Sequence, residues 1–267
     1  MERFSLKTQV SVVIGGTGVL GGAMARGLGA AEAAVAVVGR SAERGQAVVD
    51  AIIDHGGQAI FVAADAGSRD QLAAARDAIV DRLGEPQILV NAAGGNDPRV
   101  TVTQDLRFED IDLDAWHDSF DLNLTAGVLL PCQVFGPAMV AVGRGSIINI
   151  ASITAHVPLS KVVAYSAAKA AVVSLTRFLA REWAPEVRVN SITPGFFPGE
   201  QNRRLLFDDS GMPSDRGQQI LQHTPMDRFG EPDELAGAAV FLASHQASSF
   251  VTGTDLRVDG GFLSTTI

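Results

Sequence analysis

Seven short runs of β-branched residues, each about the length of a strand, are separated by longer alanine-rich segments, and this alternation restricts the fold more than any other feature. The runs are Val10 to Ile14, Val35 to Val38, Ala59 to Ala63, Ile88 to Asn91, Ser146 to Ile150, Arg188 to Ile192 and Asp255 to Val258. Between them, Leu20 to Ala30, Ser41 to His55, Arg69 to Leu83 and Ala164 to Trp183 carry apolar residues at helical spacing, with Gly or Pro near their ends. The strand-sized runs are too apolar to face water on either side. An α/β fold with a doubly wound parallel sheet, covered by helices on both faces, is therefore expected. No repeat or low-complexity linker interrupts the rhythm, so residues 1–267 are expected to form one domain. The exception is Phe196 to Arg228, rich in Gly, Pro, Arg and Asp; it is too long for an ordinary connection and is expected to be a lid or substrate loop.

Composition excludes other classes. With 46% hydrophobic and 19% charged residues in 267, the chain can bury a large core and does not have the makeup of a disordered polymer. A formal charge of −9 with no Lys/Arg run argues against nucleic acid as a partner. Cys132 is alone and cannot form an intrachain disulfide, and MERFSLKTQV lacks the apolar stretch of a signal peptide, so a reduced, cytoplasmic protein is expected. Leu122 to Gly143 is uncharged but interrupted by Asn123, Thr125, Pro131, Gln133 and Pro137, which fits a buried or interface helix better than a membrane span. Thr8 to Ala25 is also uncharged, yet its glycines suit a tight turn.

Those glycines carry the first chemical signal. Gly16 to Gly21 satisfies G-x-G-x-x-G directly after a strand and before a helix, where the backbone can approach a pyrophosphate and the helix N-terminus can receive it. A plain tight turn is the alternative. The second strand ends in Gly39-Arg40-Ser41 with no carboxylate, so Arg40 is placed to accept a ribose 2′-phosphate, unless it is simply solvated. Asp65, after the third strand, is a candidate for the adenine amine or for a helix N-cap. Tyr165 and Lys169 lie at i and i+4, on one helix face, where an ammonium would favour the phenolate of a residue whose ordinary pKa is about 10. Ser152 follows a strand and should project from the carboxyl edge of the sheet, where ligands bind in open α/β folds.

Over essentially its whole length the sequence resembles the short-chain dehydrogenase/reductase family, through Gly15 to Gly21, Asn91-Ala92-Ala93-Gly94, Asn123, Ser152, Tyr165, Lys169 and Pro194-Gly195 in that order. The resemblance implies a Rossmann-like fold and a catalytic tetrad. In it Tyr165 is the acid/base, Lys169 lowers its pKa and holds the nicotinamide ribose, Ser152 positions the carbonyl and Asn123 holds a proton-relay water. It also implies a nicotinamide dinucleotide bound by Gly15, Thr17, Gly18, Val19, Leu20, Gly21, Arg40, Ser41, Asp65 and Ala66, then by Asn91 to Gly94, Tyr165, Lys169, Pro194, Gly195 and Phe197. Arg40 favours NADP(H), with NAD(H) possible and Ser41 and Arg44 able to share the contact. The sequence departs from the family where Ile14 replaces a threonine, Val19 a glycine and Ala92 an asparagine; none of these removes a catalytic atom.

A narrower resemblance, to the D-mannonate oxidoreductase (D-fructuronate reductase) subgroup, rests on Asn91 to Asn96, Phe120 to Leu124, Pro131 to Gly136, Pro194 to Phe197, Gln201 to Arg203 and His223 to Met226. Gly199 stands where that subgroup tends to carry threonine. It implies a sugar-acid substrate whose carboxylate meets Lys161, with Arg203 and Arg204 as further cations and Asn96, Gln201 and Asn202 as polar contacts. The alternatives are a 3-oxoacyl thioester reductase, disfavoured by a charge of −9 because acyl carriers are acidic, a sugar or polyol (gluconate-type) dehydrogenase, and a non-enzymatic cofactor-binding module. His117, His156 and His223 lack metal-ligand spacing and are expected in core, cap or pocket-wall roles, while Trp116 and Trp183 fit packing. The family resemblance and the uncharged Leu122 to Gly143 segment imply a homotetramer joined through helices.

Overall fold

Strands as apolar as these need cover on both sides, and each side of the sheet is covered. The computed structural model describes residues 2–159, 161–200 and 202–265. In chain order it runs β1 (Val10–Ile14), α1 (Val19–Ala30), β2 (Ala34–Gly39), α2 (Ala42–Asp54), β3 (Gln58–Ala63), α3 (Arg69–Leu83) and β4 (Pro86–Asn91). Then come α4 (Leu113–Phe120), α5 (Leu130–Val142), β5 (Gly145–Ile150), α6 (Val163–Glu182) and β6 (Val187–Pro194). Last are α7 (Arg203–Leu206), α8 (Asp215–His223), α9 (Glu234–Ala243), α10 (His245–Ser248) and β7 (Asp255–Val258). A π-helical stretch, Asp121–Leu129, joins α4 to α5.

All neighbouring strands pair in parallel, in the order β3-β2-β1-β4-β5-β6-β7. The chain winds outward from β1 to β3, then crosses back to lay β4 on the other side of β1. The reversal opens a crevice at the carboxyl ends of β1 and β4. Successive side chains alternate between faces: Val12 joins the layer holding Leu72, Phe135 and Val172, and Val13 the layer holding Leu28, Ile52 and Leu235. Fully burying such a side chain contributes about 1.5–3 kcal/mol, so these two layers outweigh the exposed ion pairs in holding the sheet.

Several helix starts are capped by their own sequence. Ser41, Ser68, Asp112 and Ser214 accept a backbone N–H from the first turns of α2, α3, α4 and α8. At α1 the N-cap is Gly18, which supplies no side-chain acceptor. Phe196 to Arg228, expected as a loop, contains α7 and α8, which pack through Leu206 and Ile220 into a small separate core with Ile153 and Phe262. The helical stretches Leu113–Val142 and Val163–Glu182 are long and apolar enough, by length and composition, to cross a membrane. Here they lie against the sheet, with Val128, Phe135, Val172 and Val173 in its core.

Candidate active site

The turn after β1 is shaped by close backbone approach. Gly15 has φ +74°, and a Cβ there would lie 2.6 Å from the Ala93 nitrogen. At Gly21 a Cβ would overlap the Gly15 carbonyl. Glycine at both places lets α1 start against the β4 turn, with its uncapped N–H groups and positive dipole end facing the crevice. Val19 is exposed in that first turn; Ile14, where the family carries threonine, is buried, and its carbonyl accepts the Ala92 N–H at 2.9 Å. Above Val19, a side chain at Gly199 would find only van der Waals contact, 3.6 Å from Val19 Cγ2.

At the end of β2, Gly39 lies beneath Thr17, whose Oγ1 would be 2.7 Å from an added Cβ. Arg40 is exposed at the strand tip, and Ser41 spends its hydroxyl on the Arg44 N–H at 3.4 Å. Asp65 is not a helix cap: Ser68 caps α3, and the Asp65 carboxylate accepts the Gly67 N–H at 2.9 Å in a short side-chain turn. Ala66 packs against the buried layer beneath α3.

Asn91 ends β4 at the crevice. Its side chain points into the core, donating to Asn149 Oδ1 at 2.9 Å and to Cys132 Sγ at 3.4 Å, so only its backbone reaches the crevice. Asn149 passes the chain on to Thr176 at 2.9 Å, and burial pushes the Cys132 thiol up to about 12. Beyond Asn91, Gly94 has φ +148° and faces two site residues at once: a Cβ there would lie 2.7 Å from Asn123 Oδ1 and 3.3 Å from Lys169 Nζ.

Asn123 is fully buried within the π-helical stretch, a distortion frequent at functional sites. Its amide is largely committed: Oδ1 accepts the Gly95 N–H at 2.9 Å, and Nδ2 donates to the Gly95 carbonyl at 2.8 Å and the Ser119 carbonyl at 2.9 Å. Both side-chain N–H groups are thereby committed, and they fix the Gly94-Gly95 backbone.

Ser152, Tyr165 and Lys169 converge on one another, and Lys169 lies beside Gly94. Ser152 is 8% exposed and its Oγ accepts the Thr154 N–H at 3.2 Å. Lys169 Nζ donates to the Ile150 carbonyl at 2.8 Å and lies 5.6 Å from the Tyr165 ring centroid. Burial pushes the Lys169 ammonium down to about 8. At Tyr165 burial raises the phenol, and the Ser152 hydroxyl beside it pulls the other way. A phenol raised above its ordinary value of about 10 stays protonated at neutral pH.

On the other wall, Gly195 accepts close contact with Asp259, and Phe197 is buried under Gly230. The residues expected to grip substrate are only partly available. Asn202 holds the loop itself, accepting the Gly199 N–H at 2.7 Å and donating to the Phe197 carbonyl at 2.8 Å. Asn96 donates to Thr101 at 2.8 Å within its own turn. Arg203 lies 5.9 Å over the Phe207 ring, Arg204 is exposed, and Gln201 lies outside the described residues. Lys161 is exposed with backbone φ +82°, a left-handed conformation unusual for lysine, and its carbonyl accepts the Val102 N–H at 2.8 Å. His223 packs edge-on to Phe262 at 4.5 Å, His117 is exposed on α4, and no three potential metal ligands cluster among the described residues. Sequence reasoning left out the contact of His156 with Asp255, 2.9 Å between Nε2 and Oδ2. An aspartate opening an otherwise apolar strand was its only trace.

A glycine cradle and a half-buried tyrosine beside a buried lysine on one sheet edge, at the switch point, meet what a dinucleotide-dependent oxidoreductase requires. Comparison with known proteins agrees. A family model described as enoyl-(acyl carrier protein) reductase matches residues 17–263. An uncharacterised oxidoreductase of Bacillus subtilis (strain 168) is 40% identical over 269 residues, spanning 97% of this chain and 96% of that protein. A Haemophilus influenzae structure provisionally assigned as a D-mannonate oxidoreductase, with bound NAD, superposes with TM-score 0.91 at 38% identity, covering 98% of this chain and 97% of that one. A gluconate 5-dehydrogenase from Burkholderia cenocepacia, in complex with NADP and tartrate, gives TM-score 0.88 at 34% identity, covering 99% and 98%. The chain belongs to the short-chain dehydrogenase/reductase family and is an NAD(P)-dependent oxidoreductase acting on CH–OH groups.

Proposed function

We propose that the protein reduces the ketone of a sugar acid with NADP(H), with D-fructuronate to D-mannonate the best single candidate and NAD(H) as a weaker cofactor. The observation that carries the reading is the grouping of the Ser152 and Tyr165 hydroxyls with the Lys169 ammonium, which lies beside the Gly94 backbone. The fit to a dinucleotide rests on the cradle at Gly15 and Gly21, which side chains would fill, and on Lys169, whose ammonium has one acceptor among the described residues. Gly15 to Gly21 would hold the diphosphate, Arg40 a 2′-phosphate, Lys169 and the Ala92 to Gly94 backbone the nicotinamide ribose, and Pro194, Gly195 and Phe197 the nicotinamide side. When bound, the nicotinamide supplies the hydride.

The chain's own residues do the rest. Ser152 donates a hydrogen bond to the ketone oxygen, and Tyr165 gives that oxygen its phenolic proton as negative charge develops. The phenolate left behind is stabilised by the Lys169 ammonium in a site of low dielectric. Burial suits this direction, since it holds the acid protonated until the carbonyl oxygen becomes basic. Asn123 keeps Gly94 and Gly95 in place beneath the reacting groups.

Support for a sugar acid comes from the mannonate and gluconate enzymes among the similar structures and from Lys161, exposed four residues before Tyr165. A homotetramer is part of the proposal; exposed Leu113 on α4 and Phe178 on α6 support association through helices. The second reading is a 3-oxoacyl thioester reductase, favoured by the family description, with a gluconate-type polyol dehydrogenase beside it. Cofactor absorbance against keto acids, sugar acids and thioesters decides among them. Lys161→Ala should raise KM for a uronate by about tenfold or more and leave an uncharged ketone almost unaffected. Equal loss on both, or no uronate turnover, transfers the case to the alternatives.

A further inference from the structure

Ser152 and His156 stand at the two ends of one 3-10 turn, Ile153–Ala155. Backbone bonds close it: Ala155 N–H donates to the Ser152 carbonyl at 2.9 Å and His156 N–H to the Ile153 carbonyl at 3.0 Å. The His156 imidazole then leaves its own segment. Its Nε2 lies 2.9 Å from Asp255 Oδ2 on β7 and 3.4 Å from Thr193 Oγ1 on β6. The carboxylate is itself gripped, with Ser191 Oγ at 2.6 Å and Thr193 Oγ1 at 2.8 Å both donating to Oδ1. Oδ2 itself has no hydrogen-bond partner among the described residues: the His156 Nε2 stands 2.9 Å from it without forming one, and the ring's hydrogen bond is to Thr193.

This polar cluster is built into the sheet. Ser191 and Asp255 are register partners, and Ser191 and Thr193 share the face on which Val187 and Val189 enter the apolar core. The Asp255 side chain is only 9% exposed, so its charge needs partners: the two hydroxyls serve Oδ1, and the imidazole is the group that stands against the otherwise unpartnered Oδ2. Ile153 and Val157 belong to the small core with Leu206 and Ile220, which come from α7 and α8, while Ala155 packs against the main core. The polar cluster adds the turn's side-chain link to β6 and β7.

We infer that His156 and Asp255 are positioning residues: their pair bolts the Ser152 turn to β6 and β7 and so sets where the Ser152 hydroxyl meets the substrate carbonyl. Neither touches the reacting atoms, and the inference rests on the role of Ser152 in the proposed reaction. Displacing a positioned group by an ångström can cost about 10²-fold in rate, so loss of a strut one turn away should cost about tenfold in kcat.

The test is a double-mutant cycle on the full chain, with cofactor binding followed by nucleotide fluorescence as the check on folding. His156→Ala should lower kcat about tenfold while KM and cofactor affinity stay within about twofold. His156→Gln, whose amide N–H can reach Asp255, should recover most of the loss. In a Ser152→Ala background, His156→Ala should cost nothing further, because the group it positions is gone. An undiminished penalty in that background, or wild-type kcat for His156→Ala beside a crippled Ser152→Ala, overturns the inference alone. Wild-type turnover by Ser152→Ala overturns the reaction reading as well. If His156→Ala does not bind cofactor, Asp255→Asn, which keeps an acceptor for the two hydroxyls and loses the charge, carries the same cycle with the same outcomes.

Discussion

Lys169 and Arg188 are both cations held inside the protein, 4% and 7% exposed, at opposite ends of the same sheet. Neither has a carboxylate within ion-pair distance among the described residues. At the amino end of β6, the Arg188 guanidinium donates to the Leu242 carbonyl at 2.8 Å, Ser248 Oγ at 2.9 Å, the Ala243 carbonyl at 3.3 Å and the Val251 carbonyl at 3.4 Å. Two of these are the last carbonyls of α9, the negative end of that helix. At the carboxyl end, Lys169 reaches one carbonyl. Burial lowers Arg188 to about 10 and Lys169 to about 8. The difference separates two uses of one expensive feature: where the task is to hold α9 to the sheet, the guanidinium spreads over four acceptors and leaves only its Nε unpartnered, and where the task is chemistry, a single acceptor is engaged among the described residues.

If that contrast is right, removing each cation should damage a different property. Lys169→Met is expected to lower kcat by about 10²–10⁴-fold and to weaken cofactor binding, because the phenolate loses its counter-charge. Its melting temperature should hold or rise, since an under-compensated buried charge is gone. Steady-state kinetics and a thermal melt on one sample report both, and a large loss of stability would erase the distinction.

Arg188→Met should do the reverse. Stranding the Leu242 and Ser248 acceptors in the interior should destabilise the protein by about 2–4 kcal/mol, read from denaturant melts, while kcat of the folded enzyme stays within about twofold.

A smaller effect sharpens the comparison through pH. The Lys169 value is about 8 in the folded protein against 10.5 ordinarily, so between them the unfolded chain holds a proton that the folded one has released. Unfolding free energy should therefore rise with pH across that window, by at most about 3 kcal/mol, and the full penalty is present below it. Denaturant melts from pH 7 to 10 should show a slope in the wild type that Lys169→Met flattens and Arg188→Met retains.

The contrast between the two cations was only half legible in the sequence. Lys169 stood out through its spacing from Tyr165, whereas Arg188 opened a strand-sized run like any other residue. The seven strands could be placed because burial on both faces leaves unbroken β-branched runs, although β6 extends beyond its expected ends. The helices α4 and α9 and the pieces inside Phe196 to Arg228 had no comparable signature: α9 is apolar all round, and dense Gly, Pro and Asp hid α7 and α8. Within the site, residue types and order were readable, but hydrogen-bond commitments were not. Asn91, Asn123 and Asn202 carry amides suited to ligands and spend them on the Asn149 side chain, the Gly95 backbone and the Gly199 turn. Those partners are made by the tertiary fold, as are the burial that raises Tyr165 and the pair between His156 and Asp255.

The proton donor is the centre of the account, and Tyr165→Phe examines it most directly because it deletes one hydroxyl and keeps the ring that packs beside Lys169. The measurement is kcat for ketone reduction together with the cofactor dissociation constant on the same preparation. The account predicts a fall in kcat of about 10²–10⁴-fold with cofactor affinity within about twofold of wild type. Turnover within about threefold of wild type would contradict it and remove Tyr165 from the acid/base role.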